Sequence, residues 1–280
     1  MFDRRTKNAE IFKDTMEWIK NDAGLYNAVK NSISKQKIYP EAKEIVIETS
    51  GNRNCQTIIS TKRSFEAAKS YAKEGKKVCV LNFASATNPG GGVKNGSSAQ
   101  EEALCRCSTL YPCLDIKSNW KDFYLPHREA RNPLYNDDII YIPEVLVVKS
   151  DVSFPEKLPE SDWYKVDVVT CAAPNLRSVP SNWMNPMAGN KAANVTADDL
   201  YVLLKKRIDR IFRAAIANGA SALVLGAFGC GAFCNPPKVV AKAFYDVQKN
   251  YEKYLDVVEY AIYCTERERT NYETFCEQIK

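Results

Sequence analysis

The sequence lacks several features that would assign it to a specialised class of protein. It has no long run of lysine or arginine, and its 39 basic and 34 acidic residues leave a net charge of +5. A mildly basic, evenly charged chain suits an anionic ligand, and we predict no direct DNA binding. No apolar run reaches the roughly 20 residues of a membrane-spanning helix. The first residues, MFDRRTKNAEIF, lack the apolar core of a secretion signal. We therefore expect no membrane association and a cytoplasmic location, with the nucleus not excluded.

The chain also lacks paired CxxC motifs, although it contains ten cysteines. Cys105 and Cys107 form a CxC, Cys230 and Cys234 form a CxxxC, and the single His127 has no partner histidine. Because structural zinc sites need four closely spaced ligands, we predict no metal. In an intracellular chain such cysteines are expected to be reduced and buried. His127 is expected to be a loop residue, because it has no patterned partner of a catalytic triad.

The length of 280 residues fits one large domain with a short extension. Residues 4–35 show helical periodicity, with a break around Asn21, Asp22 and Gly24. We therefore predict an N-terminal helical extension at 1–40, packed on a main domain at 41–280.

Apolar runs and helical periods alternate along the main domain. Strands are predicted at 44–49 and 56–60 as a hairpin, then at 77–84, 139–148, 166–173, 222–225 and 257–264. Helices are predicted at 64–73 and 196–218, from Ser98 and Thr270 at capping-box spacings, and from Pro236. Segments 120–136 and 174–195 are predicted to be loops. Such alternation predicts an α/β fold, a three-layer α-β-α sandwich with helices on both faces of a sheet.

Two glycine-rich loops each follow an apolar strand. Gly90, Gly91 and Gly92 come after the strand at 77–84, and the sequence GAFGCGAF at 226–233 comes after the strand at 222–225. If these strands are parallel, both loops lie on the rim where ligands bind in open α/β sheets.

The loop at 226–233 has the composition of an anion-binding turn. Successive free amides in such a turn suit a diphosphate, and Phe228 and Phe233 are candidate walls for a ribose or a base. The segment is neither a P-loop nor a GxGxxG dinucleotide motif. A tight strand-to-helix turn with core phenylalanines is the alternative interpretation.

The triple glycine leads to a helix whose first turn carries Gln100, Glu101 and Glu102. Neighbouring helical residues point about 100° apart, so the two glutamates are predicted to do different jobs, with Glu101 leaning inward. One carboxylate holding sugar hydroxyls and the other acting as acid and base fits glycosidic cleavage. The alternative is that acidic residues simply favour a first turn. A helix N-terminus also lowers a carboxyl pKa, whereas a general acid needs a raised one, so desolvation by bound substrate has to prevail at Glu102.

Together the two loops resemble the poly(ADP-ribose) glycohydrolase family in its compact microbial form. The family signature is a triple glycine, a short spacer and Gln-Glu-Glu, which matches 90–92, 93–99 and 100–102 here. The GCGAF sequence at 229–233 resembles the diphosphate loop of the family. Segments 143–151 and 173–175 resemble secondary family segments, and the resemblance covers roughly residues 40 to 275.

The resemblance implies a macrodomain-like catalytic domain at 41–280 with a mixed sheet. It implies that Glu102 is the catalytic acid, that Glu101 binds ribose hydroxyls and that Gln100 shapes the loop. The implied ligands are ADP-ribose, poly(ADP-ribose) and ADP-ribosylated proteins, and no metal or cofactor is implied. We expect the protein to be a monomer. The substrate-binding residues that the resemblance implies are Asn82, Asn88, Gly229, Cys230, Gly231, Ala232 and Phe233. Gly90, Gly91, Gly92 and Phe228 join them as candidates from the composition of the two loops.

One departure and two alternative functions go with this resemblance. Cys234 stands where a glycine is frequent in the family, which adds a Cβ beside the diphosphate loop.

The alternatives to polymer hydrolysis from the chain end are a non-catalytic ADP-ribose reader and a hydrolase of mono-ADP-ribosylated protein or of another ADP-ribose derivative. Arg177 and Lys191, in the loop at 174–195, are expected to have surface roles, with phosphate binding as the alternative.

Overall fold

The computed structural model describes residues 3–183 and 185–279. Met1, Phe2, Met184 and Lys280, which fall within the two predicted domains, lie outside the described residues. The strands are β1 (Lys37–Tyr39), β2 (Gln56–Ser60), β3 (Val78–Phe83), β4 (Ile139–Val147), β5 (Tyr164–Cys171), β6 (Ala222–Leu225) and β7 (Val257–Ala261). Within the described residues they form one mixed sheet in the order β1-β4-β5-β3-β6-β7-β2. Strands β5, β3, β6, β7 and β2 are mutually parallel, whereas β4 runs antiparallel to β1 and β5.

Helices cover both faces of this sheet. They are α1 (Arg4–Asn21), α2 (Ala23–Lys35), α3 (Ser64–Lys73), α4 (Gln100–Cys107), α5 (Leu110–Leu114), α6 (Lys117–Asn119), α7 (Leu125–Ala130), α8 (Ala197–Ala217), α9 (Pro237–Gln248) and α10 (Thr270–Gln278). One core packs α8, α9 and α10 against the sheet, and the other packs α1 to α5 against it. Alternate residues of β3 enter the two cores: Cys79 and Leu81 enter the first, and Val78 and Val80 the second. The predicted three-layer α/β fold is therefore confirmed.

Several predicted elements match the structure closely. Thr196 caps α8 by accepting a hydrogen bond from the backbone of Asp199, and Gly219 follows the helix with a φ of 84°. Pro143 in β4 lies at a register shift between Ile142 and Val145, because proline cannot donate to the sheet.

The predicted hairpin is wrong. No strand forms at 44–49, where Ile45 instead buries its side chain in a core as part of an unpaired segment. The residues at 56–60 do form β2, but β2 pairs in parallel with β7, about 200 residues further along the chain. Strand β1, a short edge strand, was not expected.

Two further local predictions are wrong. The segment 120–136 is largely helical, with a π-helical turn at Trp120–Tyr124 that leads into α7. Helix α4 begins at Gln100 after Ala99, without a side-chain cap, so the predicted capping box at Ser98 does not form. Helix α10 likewise follows Arg269 rather than a capping Thr270.

The two N-terminal helices pack closely on the rest of the molecule. Asn8 Nδ2 donates to the carbonyl of Gly96, and the hydroxyl of Thr15 donates to the carbonyl of Arg106. The ammonium of Lys149, which is 2% exposed, contacts Asp14 at 2.7 Å. Helix α1 is therefore fixed against the segment that leads into α4. Among the described residues, no helix is long and apolar enough to span a bilayer.

Candidate active site

A cavity of about 720 Å³ lies at the carboxyl ends of β3 and β6, which are parallel neighbours in the middle of the sheet. Gly91 and Gly92 line it from the loop after β3, and Gly229 and Gly231 line it from the loop after β6. The prediction that both glycine-rich loops share one rim is therefore confirmed. This is the position in which open α/β sheets bind ligands.

Glu101 is held rigidly at the wall of this cavity. Its Oε1 accepts a hydrogen bond from Asn82 Nδ2 at 3.2 Å, and its Oε2 accepts from the backbone N–H of Ser85 at 2.7 Å. The backbone of Gly90 also donates to the carboxylate. Because both oxygens are engaged, Glu101 is a fixed acceptor rather than a mobile proton carrier.

Glu102 is buried beside it but has one free oxygen. Its Oε1 accepts from the backbone N–H of Gly92 at 2.9 Å. Its Oε2 is buried, has no hydrogen-bond partner among the described residues, and belongs to a side chain that lines the cavity. An orphaned carboxyl oxygen is rare in a folded protein, and its place in a cavity suits proton exchange with a ligand.

Gln100 ties the start of α4 to its neighbours. Its amide nitrogen donates to the carbonyl of Leu81 at 2.7 Å and to the hydroxyl of Ser64 at 3.0 Å. Its amide oxygen accepts from the backbone of Phe83 at 2.9 Å. This side chain therefore fixes α4 against β3 and α3, which suits a shaping role better than a chemical one.

Gly91 allows the two carboxylates to come so close to the loop. Its φ is +56°, and a Cβ added there would lie 2.7 Å from Glu102 Oε1 and 3.2 Å from Glu101 Oε2. Any larger residue would meet both the unfavourable backbone conformation and these oxygens. The central residue of the triple glycine thus leaves the space that the acidic pair fills.

Burial raises the pKa of both glutamates. At Glu101 desolvation is the largest cause and the charge of Glu102 adds to it, so the pKa reaches about 8 despite the bonds from Ser85, Asn82 and Gly90. At Glu102 desolvation also raises the pKa, although the Gly92 amide and the nearby Arg106 oppose it. The expected conflict with the helix N-terminus is thus resolved by the protein's own burial of the pair, before any substrate binds.

The loop after β6 presents backbone donors to the same cavity. The amides of Phe228 and Cys230 are used within the turn, where they donate to the carbonyls of Gly226 and Ala227. Within the described residues, no hydrogen bond is recorded for the three consecutive amides that follow, those of Gly231, Ala232 and Phe233. All three residues line the cavity. Consecutive unbonded amides form a concavity suited to a diphosphate.

Asn235 fixes the conformation of this loop. Its Nδ2 donates to the carbonyls of Pro174 and Gly229, and a Cβ on Gly229 (φ +75°) would lie 2.5 Å from that nitrogen. Cys234 adopts a left-handed φ of 57° and is exposed. Cys234, which stands where a glycine is frequent in the family, therefore keeps the left-handed backbone conformation that glycine favours.

Ten of the fourteen predicted site residues line the cavity, and four lie behind its wall. Asn82 and Gly90 contact Glu101, Phe228 is fully buried against Phe83, and Cys230 turns away from the cavity into the loop. The ten that line it are Asn88, Gly91, Gly92, Gln100, Glu101, Glu102, Gly229, Gly231, Ala232 and Phe233.

Sequence reasoning missed the positive charges of the cavity. Arg4 and Arg5 reach it from α1, Arg63 reaches it from the residue before α3, and Arg177 reaches it from the segment after β5. Arg177, expected at the surface, also binds the Asn175 side chain. Lone arginines far from the motifs carry no sequence signal, since only the folded chain brings them together.

An acid and an aromatic ring also line the cavity, beside Arg63. Asp151 accepts from the backbone of Phe65 through Oδ2, while its buried Oδ1 has no partner among the described residues. Tyr263 is 51% exposed, and the Arg63 guanidinium lies 3.9 Å from its ring centroid. This wall therefore offers a flat, partly exposed surface of the kind that stacks on a base.

His127 lies away from this chemistry. It is buried in α7, where its Nδ1 contacts the carbonyl of Phe123 at 2.7 Å, and burial lowers its pKa. The expected loop is thus a helix, and His127 does not line the cavity. Among residues 3–183 and 185–279, no cluster of three or more His, Cys, Asp or Glu could hold a metal ion.

Comparison with known proteins supports the resemblance seen in the sequence. A family model for the catalytic domain of microbial-type PARG, poly(ADP-ribose) glycohydrolase, matches residues 13–150. Over these residues the chain is similar to the microbial-type poly(ADP-ribose) glycohydrolase family. The matched region contains the triple glycine and both glutamates, and it begins within α1.

Solved structures of this family align over nearly the whole chain. Poly(ADP-ribose) glycohydrolase from Thermomonospora curvata is 28% identical, with a TM-score of 0.85 over 98% of this chain and 100% of that one. The same enzyme bound to the inhibitor ADP-HPD gives a TM-score of 0.83 with the same identity and coverage. The Deinococcus radiodurans enzyme in complex with ADP-ribose is 26% identical, with a TM-score of 0.75 over 89% of this chain and 96% of that one. A search of curated proteins finds no match. The macrodomain-like fold expected from the sequence is that of this family.

Proposed function

We propose that this protein hydrolyses the ribose–ribose O-glycosidic bonds of poly(ADP-ribose), mainly from the chain end, with Glu102 as general acid and base. The observation that carries the proposal is the pairing of a fully engaged Glu101 with a Glu102 that keeps one free, buried oxygen in the cavity. This is the division of labour that glycosidic cleavage needs.

In the proposed reaction Glu102 first acts as an acid. Its raised pKa keeps a proton available, which it gives to the ribose oxygen that leaves. The C–O bond breaks as positive charge develops on the anomeric carbon and ring oxygen of the terminal ribose. Ionised Glu102 then takes a proton from water as the water oxygen attacks that carbon. Glu101, fixed by Asn82 and Ser85, holds hydroxyls of this ribose throughout.

The terminal ADP-ribose unit is oriented by its diphosphate. The unbonded amides of Gly231, Ala232 and Phe233 donate to it, and Arg177 adds positive charge on the same cavity wall. On the wall that Arg63 and Tyr263 share, the Tyr263 ring is the candidate surface for the adenine. Binding distant parts of the unit holds the anomeric carbon at Glu102, which favours the reaction through orientation.

A reader of ADP-ribose would not need this acidic pair. Burying two neighbouring carboxylates carries a large desolvation penalty, which is visible in their raised pKa values. The acidic pair itself does not separate polymer from single ADP-ribose marks, so a hydrolase of mono-ADP-ribosylated protein stays an alternative outcome of the test. We also propose that the protein acts inside the cell, because all ten cysteines are free thiols. Its acting as a monomer stays a separate prediction.

The test measures release of ADP-ribose from polymer and from mono-ADP-ribosylated protein. We expect wild type to act on polymer and Glu102→Gln to lose at least about 100-fold in turnover, the size of a general acid–base contribution. The variant should still bind ADP-ribose in calorimetry, since Gln keeps the size of the side chain. Full turnover by the variant would refute the role of Glu102. Binding without turnover by wild type would favour a reader, and release from single marks alone would favour the mono-specific hydrolase.

A further inference from the structure

Helix α1 reaches the cavity directly beside the segment that precedes the catalytic glutamates. Arg4, Arg5 and Asn8 line the cavity from this helix. A Cβ on Gly96 would lie 1.9 Å from the carbonyl oxygen of Arg5, so helix and segment are in close contact. The same segment begins at Gly92, whose amide holds Glu102. The first turns of α1 are therefore part of the wall next to Glu102.

Asn8 presents an unsatisfied acceptor at this wall. It is 1% exposed, and its Nδ2 donates to the carbonyl of Gly96 at 3.0 Å. Its Oδ1 is buried and has no hydrogen-bond partner in the described part of the chain. Buried side-chain oxygens are nearly always paired, so an orphan in a cavity points to a donor on a ligand. A ribose hydroxyl is such a donor.

Trp183 lies next to Arg5, and the residue before it, Asn182, lines the cavity. Its ring is 69% exposed, and the guanidinium carbon of Arg5 lies 6.0 Å from its centroid. Two residues later Asn185 contacts Thr87 and Asn88, in the loop that carries the triple glycine. Trp183 and Arg5 thus lie at the end of the cavity that holds the carboxylates.

The chemistry of the proposed function requires a second ligand unit here, so this inference rests on that function. Glu102 protonates an oxygen of the next ADP-ribosyl unit, which carries ribose hydroxyls, a diphosphate and an adenine of its own. The loop after β6 holds the unit that is released. The next ADP-ribosyl unit, whose ribose oxygen is the leaving atom, therefore lies on the other side of Glu102. There α1 supplies the arginine cations and the Asn8 acceptor.

We propose that the first turns of α1 and Trp183 form a docking site for the leaving ADP-ribosyl unit. Asn8 Oδ1 accepts from one of its ribose hydroxyls, and the guanidinium groups of Arg4 and Arg5 bind its diphosphate. The exposed ring of Trp183 stacks on its base, with Arg5 beside it. The site therefore selects substrates by the polymer unit that carries the leaving oxygen. It does not recognise the ADP-ribose that is released.

The test compares two substrates that differ only in the leaving group: poly(ADP-ribose) and a p-nitrophenyl glycoside of ADP-ribose. We expect Arg5→Gln to raise KM for polymer about tenfold, the size of one charge-assisted contact, and to leave KM for the p-nitrophenyl substrate unchanged. Trp183→Ala should act in the same direction and Trp183→Phe should restore binding. Lys20→Gln, an equal loss of charge at the far end of α1, is the matched control and should change neither substrate.

The outcomes separate this inference from the proposed function. If wild type cleaves both substrates and Arg5→Gln weakens both equally, the residue supports the fold and the docking site is refuted. The same holds if Arg5→Gln changes neither, or if Lys20→Gln matches its effect on polymer. If wild type cleaves neither substrate, the proposed function itself fails. Thermal unfolding of each variant checks that a raised KM does not reflect an altered fold.

Discussion

Gly91 controls the geometry of the site at the scale of single residues. Its left-handed φ of +56° and the 2.7 Å that would separate a Cβ from Glu102 Oε1 leave room for hydrogen alone. The glutamate oxygens then occupy the space where a side chain would stand. The carboxylates can lie this close to the loop because Gly91 has no Cβ, which explains the central glycine of the three.

Gly91→Ala should therefore cause a large loss of turnover but only a small loss of unfolding free energy. The added methyl group displaces Glu102, and a misplacement of about 1 Å can lower turnover roughly 100-fold. Gly75→Ala is the matched control, because Gly75 has a φ of +80° with no atom within 4 Å of its Cβ position. Both variants should lose about 1 kcal/mol of unfolding free energy from backbone strain. Equal activity of the two variants would contradict the steric argument.

The raised pKa of Glu101 predicts how stability depends on pH. Its pKa is about 8 in the folded chain, against an ordinary value of 4.5. Between these values the folded state holds a proton that the unfolded state releases. This contribution to stability is fully present below the lower value and is lost as pH rises through the higher one.

Urea unfolding of wild type and Glu101→Gln between about pH 5 and pH 8 checks this sign. We expect wild type to lose stability over this window and the variant to lose less, because it has no proton to release at this position. The slope is the diagnostic quantity, since the amide also alters the bonds to Asn82 and Ser85. Parallel curves would show that Glu101 is not protonated in the folded chain.

The sequence was informative about residues inside a motif and silent about the rest. The spacing of Gly90–Gly92 and the glutamates was sufficient to locate the acidic pair and to predict separate roles for its members. It did not indicate that Asn82 holds Glu101 instead of lining the cavity, because that contact joins β3 to α4 in three dimensions. Arg4 and Asp151 likewise reach the cavity from distant segments.

At the scale of elements, local patterns gave the strands but not their partners. Residues 56–60 were correctly predicted as a strand, yet β2 pairs with β7 because the sheet edge is completed by the end of the chain. The short spacing between the apolar runs at 44–49 and 56–60 suggested a hairpin, and no local signal opposes that interpretation. The helical segment at 120–130 was missed because Pro126 suggests a loop, although proline is tolerated in the first turn of α7.

Helix α8 fixes the loop before β4 through one buried arginine. Arg207, 1% exposed, binds the Asp137 carboxylate at 2.7 Å and donates to the carbonyls of Ala172 and Leu134. Removing it leaves Asp137 with the exposed Lys206, at 3.0 Å, as its remaining ion-pair partner, and leaves these carbonyls short of a donor inside the protein. Arg207 therefore connects α8 to the ends of two strand segments near the cavity.

Arg207→Ala should lower the unfolding free energy by about 3–5 kcal/mol, the usual effect of breaking a buried ion pair. Arg213→Ala on the same helix is the control. Its guanidinium is 36% exposed in an i,i+4 pair with Asp209, and its loss should cost about 1 kcal/mol or less. Urea unfolding measures both. A loss at Arg207 no larger than that at Arg213 would show that this buried pair does not stabilise the fold.

At the scale of the whole molecule, the site depends on the central position of two parallel strands. The family model ends at residue 150, so it includes the glutamates but not the loop at 226–233. The pairing of β3 with β6 brings that loop to the acidic pair, and α1 closes the other side. The alternation of strands and helices was enough to predict three layers and a shared rim. The division of the chain at residue 40 stays a prediction, since α1 also lines the cavity.

The central claim is that Glu102 protonates the leaving ribose oxygen. The measurement that tests it most directly compares the loss caused by Glu102→Gln on poly(ADP-ribose) with the loss on the p-nitrophenyl glycoside of ADP-ribose. The p-nitrophenolate group leaves without a proton, so only the polymer depends on the acid. We predict that Glu102→Gln lowers turnover at least about 100-fold on polymer. On the p-nitrophenyl substrate the fold-loss should be at least about ten times smaller. Equal losses on both would contradict the claim.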